Sequence, residues 1–308
     1  MGNFLWYKKT MGIIFAEYEV RIIFKDALKC PTFFGSTIRG GFGYIFRKSV
    51  CITGQKTCEN CILLEKCPYA YIFETGILTE RGIKNVPHPF VFNITQPARG
   101  KFSPGDEFSF GITLLGRGVE FFPYFLFALV LLGENGIGKE RARFEIREIL
   151  KDGKIVFDGK KLYPGWDTPS QIRPANINGK ITLEFVTPTK IIYRGKLVEV
   201  PSFHALVKSL NRRLRLLDTY HRLGYSGISS EFVKEAENIE IMNYFFEKVR
   251  KKRFSTRQKR TMEFHGFVGR VTYAGDLTPY IEILNAGEIV HVGKATAFGF
   301  GRFKLATE

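Results

Sequence analysis

Two stretches of this 308-residue chain hold residue types spaced for chemistry: the tail from His291 to Phe303, HVGKATAFGFGRF, and a cysteine run, CITGQKTCENCILLEKC. In the tail, Gly293, Gly299 and Gly301 bracket a segment headed by Lys294, and Arg302 follows directly. Glycine permits positive φ and close approach of backbone to a ligand, and consecutive exposed N–H groups form an anion-binding nest. Such a backbone between two cations suits a phosphate; a glycine-containing hairpin that closes a sheet is the plainer alternative. In the second stretch, Cys51, Cys58, Cys61 and Cys67 surround a central CxxC, so four thiolates can converge on one metal without a long loop closure. Zinc is the first choice and an iron–sulfur cluster the second, because the spacing matches no ferredoxin pattern. Four protein ligands leave no position for a catalytic water, so the expected role is structural, coupled to folding of residues 51–67. Disulfides are the alternative, but nothing marks the chain for an oxidising compartment. Cys30 lies outside the run and reads as a buried apolar residue.

Charge points to a polyanionic partner. Lys and Arg number 46 against 30 acidic residues, a formal net charge of +16. Residues 1–150 carry 19 basic and 14 acidic side chains, whereas 151–308 carry 27 and 16, so the second half dominates long-range attraction. The run from Lys248 to Arg260 places eight cations in thirteen positions, a density that tracks backbone phosphates instead of reading bases. No apolar run reaches membrane-spanning length, and no charged leader with an apolar core opens the chain, so a cytoplasmic protein without a membrane partner is expected.

These residues need a scaffold. Partial alternation predicts a strand over Ile13 to Phe24, then a basic helix from Ser36 to Ser49, then strands over Pro87 to Asn93 and Asp106 to Leu115. The apolar stretch Glu120 to Leu132 reads as a buried helix, and strands Arg143 to Leu150 and Lys154 to Phe157 flank the hairpin signal Asp152-Gly153. A second series follows. It opens with a strand at Lys180 to Val186 and a long helix from Pro201 whose apolar positions Phe203, Leu206, Val207, Leu210, Leu214 and Leu217 keep helical spacing. The other face of that helix carries Lys208, Arg212, Arg213, Arg215 and Arg222, either solvated or facing nucleic acid. A short helix over Asn243 to Lys252, strands over Thr256 to Phe264 and Gly266 to Ala274, a helix over Leu277 to Gly287 and a strand over Gly299 to Leu305 complete it. Two successive β-α-β-β-α-β units predict an α+β fold of tandem ferredoxin-like, RRM-like domains. The first covers 1–160 with the cysteine insertion 51–67; the second covers 178–308 with the basic segment 248–260 and the glycine loop 291–302.

The glycine-rich tail, the segments STRQKRTMEFHGFVGRVTY and GIGKERARFEI, and the cysteine loop ending CPYAYIFET span most of the chain. Together they resemble the CRISPR-associated endoribonucleases that process precursor repeat RNA, members of the RAMP superfamily, and a branch of them with a cysteine-rich insertion in the first unit. The resemblance implies tandem ferredoxin-like domains, CRISPR repeat RNA as ligand, and metal-independent cleavage to a 2′,3′-cyclic phosphate. It also implies other CRISPR-associated interference-complex subunits as partners. The superfamily loop runs glycine, apolar, glycine, five residues including a cation, then glycine, apolar, glycine. Val292, Gly293, KATAF, Gly299, Phe300 and Gly301 satisfy it, but His291 takes the place of the first glycine. Many members carry a catalytic histidine in or near the first helix. Here FGSTIRGGFGYIFRKSV has none and offers Arg39, Tyr44, Arg47 and Lys48.

Cleavage by a ribose 2′-hydroxyl needs a base, an acid for the departing 5′-oxygen, and cations around the phosphorane. Histidine serves either proton role because its unperturbed pKa is about 6.5. His291, beside the loop, is therefore the leading catalytic candidate, with Tyr44 and Lys48 as alternatives. Expected RNA contacts are Arg39, Arg47, Arg257, Gln258, Gly293, Lys294, Gly299, Gly301 and Arg302. His88, His204 and His221 read as structural or solvated, and His265 sits in a strand. No acidic pair of the kind that binds two magnesium ions stands out. Two competing functions stay open: a catalytically inactive RAMP subunit that binds guide RNA, and a zinc-stabilised DNA-binding protein.

Overall fold

Alternation along β1 (Phe15–Phe24) buries Tyr18, Val20, Ile22 and Phe24 on one face and turns Glu17, Glu19 and Arg21 outward. The computed structural model describes residues 12–31, 33–77, 86–172, 179–255 and 260–306, and for 251–255 and 260–262 the backbone alone. The first unit continues with β2 (Leu28–Lys29), α1 (Phe34–Val50), α2 (Pro68–Phe73), β3 (Phe90–Asn93), β4 (Lys101–Phe102) and β5 (Glu107–Leu115). Then come α3 (Phe122–Asn135), β6 (Phe144–Lys151) and β7 (Lys154–Phe157). The main sheet is antiparallel in the order β3-β5-β1-β6-β7, and β2 pairs with β4 in a separate ribbon. Asp152 and Gly153 both take positive φ, 49° and 78°, the conformation a two-residue turn between β6 and β7 requires. The 14-residue α3 is buried through Phe125, Ala128, Leu129 and Leu132. With the 3-10 turn before it the apolar stretch reaches 20 residues, but more than half of it is packed inside the first unit.

The second unit comprises β8 (Lys180–Thr189), β9 (Ile192–Tyr193), β10 (Lys196–Leu197), α4 (Phe203–His221), α5 (Ser230–Glu235), β11 (Glu240–Ser255), β12 (Arg260–Ala274), α6 (Ile281–Val290) and β13 (Phe303–Ala306). Its antiparallel sheet runs β11-β12-β8-β13. Second, third, first, fourth: this is the strand order of the first unit without β7, and each unit is a ferredoxin-like β-α-β-β-α-β sandwich. Ser202 caps α4 by accepting from the Ala205 N–H at 3.2 Å. The helix expected at Asn243 to Lys252 is instead the middle of β11. Its residues pair one by one with β12, from Asn243 opposite Thr272 to Lys252 opposite Glu263. Tyr244, Phe245, Phe246 and Val249 favour a strand, and cross-strand pairing outweighs the helix-forming Glu247 and lysines.

The units interlock. Ile13, Phe15 and Leu115 pack into the core of the second unit, while Ala297 of the glycine loop packs into the core of the first. The Ile14 N–H donates to Leu223 O at 2.7 Å. The glycine loop is thereby wedged at the seam.

Candidate nucleic-acid interface at the seam

The loop leaves α6 at His291 and reaches β13 at Phe303 through a short 3-10 turn, Thr296–Phe298. Gly293 has φ 83° and Gly299 φ 85°; a Cβ on the first would strike the Lys190 carbonyl, and on the second would sit 2.6 Å from Phe92 O of the first unit. Close approach is real, but it is approach to protein. Val292, Lys294, Phe298, Gly299 and Gly301 donate their N–H groups to backbone carbonyls, and the Arg302 N–H donates to Thr187 Oγ1 at 2.9 Å. These six N–H groups are engaged with protein and do not contribute to the expected nest. Gly299 and Gly301 are buried and shape the seam instead of offering an RNA surface.

Positive charge at this edge comes from side chains. Lys294 is exposed, and its N–H binds Lys190 O at 3.0 Å. Partial burial and the charges of Arg212 and Lys190 push its pKa down. Arg302 is half-buried, with its charge near Glu288, whose carboxyl burial pushes up. Of these cations, Lys190 is the one that sequence reasoning missed. Arg212 lay on the flagged helix face, whereas Lys190 follows β8 with no signal of its own.

Aromatic rings close the seam from the other side. Phe33 stacks on Phe300 at 4.9 Å, and Phe264 of β12 meets Phe298 and Phe300 at 5.8 and 5.1 Å. The Arg39 guanidinium lies 4.7 Å from Phe73, 5.3 Å from Phe90 and 5.0 Å from Phe298. Arg39 thus joins α1 to the loop by cation–π packing. Arg47 donates to the carbonyls of Gln55 and Lys56 at 2.6 and 2.9 Å, which ties it to the cysteine loop instead of to a ligand. Tyr44 is 69% exposed and Lys48 is exposed on the same helix. The loop touches α1 at Gly35, so Tyr44 and Lys48 lie about 13 and 20 Å further along the helix axis. The structure does not gather them with His291. Arg257 and Gln258 lie outside the described residues.

His291 is 1% exposed, and its Nδ1–H donates to Phe300 O at 3.1 Å. Burial, with Arg213 nearby, pushes its pKa to about 3. A neutral, enclosed imidazole offers nothing to an RNA phosphate, so the catalytic expectation for His291 finds no support in this geometry. The ring holds the loop instead. Its backbone, φ 61° and ψ 169°, occupies a region nearly reserved for glycine, the residue expected at that position of the loop. His221, 2% exposed, pins the units together: Nε2–H donates to Pro87 O and Nδ1 accepts from the Tyr71 hydroxyl, both at 3.0 Å. Burial holds His221 near pKa 4 and His88 near 3. Between them Arg213 is buried with no carboxylate bonded to it among the described residues, donates through Nε to Val290 O at 2.8 Å, and is pushed down to about 9 by burial. His265 keeps an accessible ring, 3.1 Å from Glu263, but alternation along β12 turns it away from the face that Phe264 presents to the loop.

Cys51, Cys58, Cys61 and Cys67 line one cavity of about 230 Å³, and all are free thiols, so no disulfide forms. Thr53 Oγ1 lies 3.9 Å from Cys51 Sγ and 3.6 Å from Cys61 Sγ. Thiolate donors suit zinc by type. As folded here, no three His, Cys, Asp or Glu side chains among the described residues stand close enough to hold a metal ion.

Residues 13–173, more than half of the chain, match the family model AF_1859_N, an N-terminal domain. The chain belongs to that family. Residues 183–303 match the model of the CRISPR-associated endoribonuclease Cas6, so the protein is Cas6-like through its second unit. An uncharacterised protein of Archaeoglobus fulgidus is 28% identical over 284 residues, covering 89% of this chain and 92% of its own. Among solved structures, a Thermus thermophilus Cas6 in a product complex superposes with a TM-score of 0.57 at 14% identity, covering 95% of this chain and all of that one. A second Cas6 product complex gives 0.54 at 17%, covering 96% of this chain and all of that one. A partial Cas6-RT-Cas1–Cas2 complex gives 0.56 at 12%, with 96% of the Cas6-like chain on 46% of the longer one. These likenesses establish the shared fold.

Proposed function

We propose that the protein binds CRISPR repeat RNA at the seam and cleaves it by attack of a ribose 2′-hydroxyl on the adjacent phosphate, releasing a 5′-hydroxyl product and leaving a 2′,3′-cyclic phosphate. The observation that carries this reading is the gathering of Lys190, Arg212 and Lys294 at the exposed edge of the glycine loop. Lys190 and Arg212 would stabilise charge on the phosphorane. Lys294, with its pKa lowered, gives up a proton more readily than a free lysine and suits protonation of the 5′-oxygen. The test is incubation of the purified protein with repeat RNA in EDTA. Cyclic-phosphate product supports cleavage, and a 2′-deoxy nucleotide at the cut site should abolish it while sparing binding.

A second reading, an inactive subunit that holds guide RNA among other CRISPR-associated proteins, is favoured by the burial of His291. Tight binding without product in the same experiment selects it. For the cysteine loop we propose a structural zinc, of the kind a cysteine-rich branch of the family would carry, and no step of cleavage passes through it. Elemental analysis of the purified protein and of Cys58→Ser tests this: equal metal content in the two ends the proposal.

A further inference from the structure

The outer face of α4 carries a row of cations that extends well past the glycine loop. Lys208, Arg212 and Arg215 are exposed at i, i+4 and i+7, which puts them on one side of the helix over about 10 Å of its length. At one end the Arg194 guanidinium and the Lys208 ammonium lie 5.2 and 5.6 Å from the Tyr193 ring. In the middle the charges of Arg212 and Lys190 both act on Lys294, whose backbone N–H donates to Lys190 O at 3.0 Å. None of these six cations forms an ion pair with a carboxylate among the described residues. Three acids of the surrounding elements are engaged elsewhere: Glu199 with Lys248 at 2.6 Å, Glu237 with His204 at 3.6 Å, and Asp218 with the N–H groups of Gly224 and Tyr225; Glu282 of α6, which like Arg215 acts on Tyr225, forms no ion pair among the described residues. Like charges four residues apart weaken a helix, and a merely solvated face usually alternates sign. The ridge keeps a repulsion that a polyanion would relieve.

We propose that this ridge holds the sugar–phosphate backbone of an RNA segment that flanks the strand gripped at the glycine loop; the inference rests on the RNA-binding reading above. Tyr193 is already covered by two cations, so the ridge is built to meet phosphates, and the contact is independent of base sequence. It makes the protein bind long precursor RNA better than an isolated repeat.

The experiment measures binding of the full chain to repeat RNA, alone and extended at either end by about ten uridines, across a salt series. Wild type should gain on the order of tenfold affinity from one of the two flanks. The triple variant Arg194→Ala, Lys208→Ala, Arg215→Ala should lose that gain and show a salt slope shallower by about 2 for the extended RNA. The charge-keeping variant Arg194→Lys, Lys208→Arg, Arg215→Lys should restore it. A wild type that binds the repeat but gains nothing from either flank, or a triple variant that gains as much as wild type, overturns the ridge alone. A wild type that does not hold repeat RNA overturns the RNA-binding reading and the ridge together.

Discussion

In the first unit, cation after cation meets a carboxylate: Arg21 with Glu19 and Glu148, Lys25 with Glu145, Arg99 with Asp106, Arg117 with Glu120, Arg143 with Asp26, and Arg147 with Glu107. In the second unit, on the same strand order, Lys190, Arg212 and Lys294 gather with no acid paired to them among the described residues, and Arg213 is buried among histidines. The sequence-wide excess of 16 positive charges therefore understates the contrast. Pairing cancels much of the field of one unit, while the other keeps its field for a ligand.

The largest expected effect lies in the seam. His88, His221 and His291 are neutral in the fold with pKa values near 3, 4 and 3, against about 6.5 in an unfolded chain. The charged groups facing them among the described residues are Arg39, Arg117, Arg213 and Arg302, with Tyr71 uncharged, so no described carboxylate rewards protonation. Below pH 6.5 the unfolded chain takes up protons that the fold refuses, so stability is full above that pH and falls as pH drops toward 4. At pH 5 each histidine costs on the order of 2 kcal/mol. Urea unfolding at pH 7 and pH 5 measures this, and His221→Gln should flatten the difference by about a third. An unchanged midpoint between the two pH values would mean that the seam opens to solvent.

Next comes the ligand side of the contrast. Lys294→Ala combined with Arg212→Ala should lower repeat-RNA affinity by roughly tenfold to a hundredfold at low salt and reduce the salt slope by about 1.4, two phosphate contacts on a single strand. Unaltered binding would remove the loop edge from the interface.

How much of this was legible depended on whether periodicity or burial decided the matter. The two β-α-β-β-α-β series showed because β1 and α4 keep their periods over ten residues or more and the apolar stretch at α3 is long enough for a buried helix. Arg213 was legible in principle: it falls three residues after Leu210 and four before Leu217, on the apolar stripe, so its inward direction follows from the same spacing. The strand at β11 was less legible, since Tyr244, Phe245, Phe246 and Val249 favour a strand while Glu247 and the lysines favour a helix, and pairing with β12 decides between them. Neither was the fate of His291. A histidine at the head of a glycine-rich loop reads as an exposed loop residue, and only packing against Phe300 and the Arg213 side of α4 shows that the ring is enclosed.

That enclosed backbone gives a sharper, smaller test. With His291 held at φ 61° and ψ 169°, any Cβ is strained by roughly 1–3 kcal/mol. His291→Ala keeps the strain and loses the ring, whereas His291→Gly loses the ring and the strain together. The glycine variant should be the more stable of the two by about that amount in parallel urea melts. If alanine matches glycine, the loop does not hold that conformation.

The smallest effect is expected where charge is already matched. Arg143 binds both oxygens of Asp26, at 2.8 and 3.1 Å, on the exposed edge of the first unit. That contact holds the Asp26 carboxyl down near pKa 2, mainly through the Arg143 side-chain hydrogen bonds. Arg143→Ala removes one positive charge from the protein, just as Lys294→Ala does, so a ligand that sensed only net charge would respond equally to both. A ligand that sensed local field would not, because Asp26 loses its partner but no unmatched cation disappears. The salt slope for repeat RNA should therefore stay at the wild-type value in Arg143→Ala while it falls in Lys294→Ala. Equal loss in the two variants would show that the pairing in the first unit does not shield it, and that overall charge alone governs attraction.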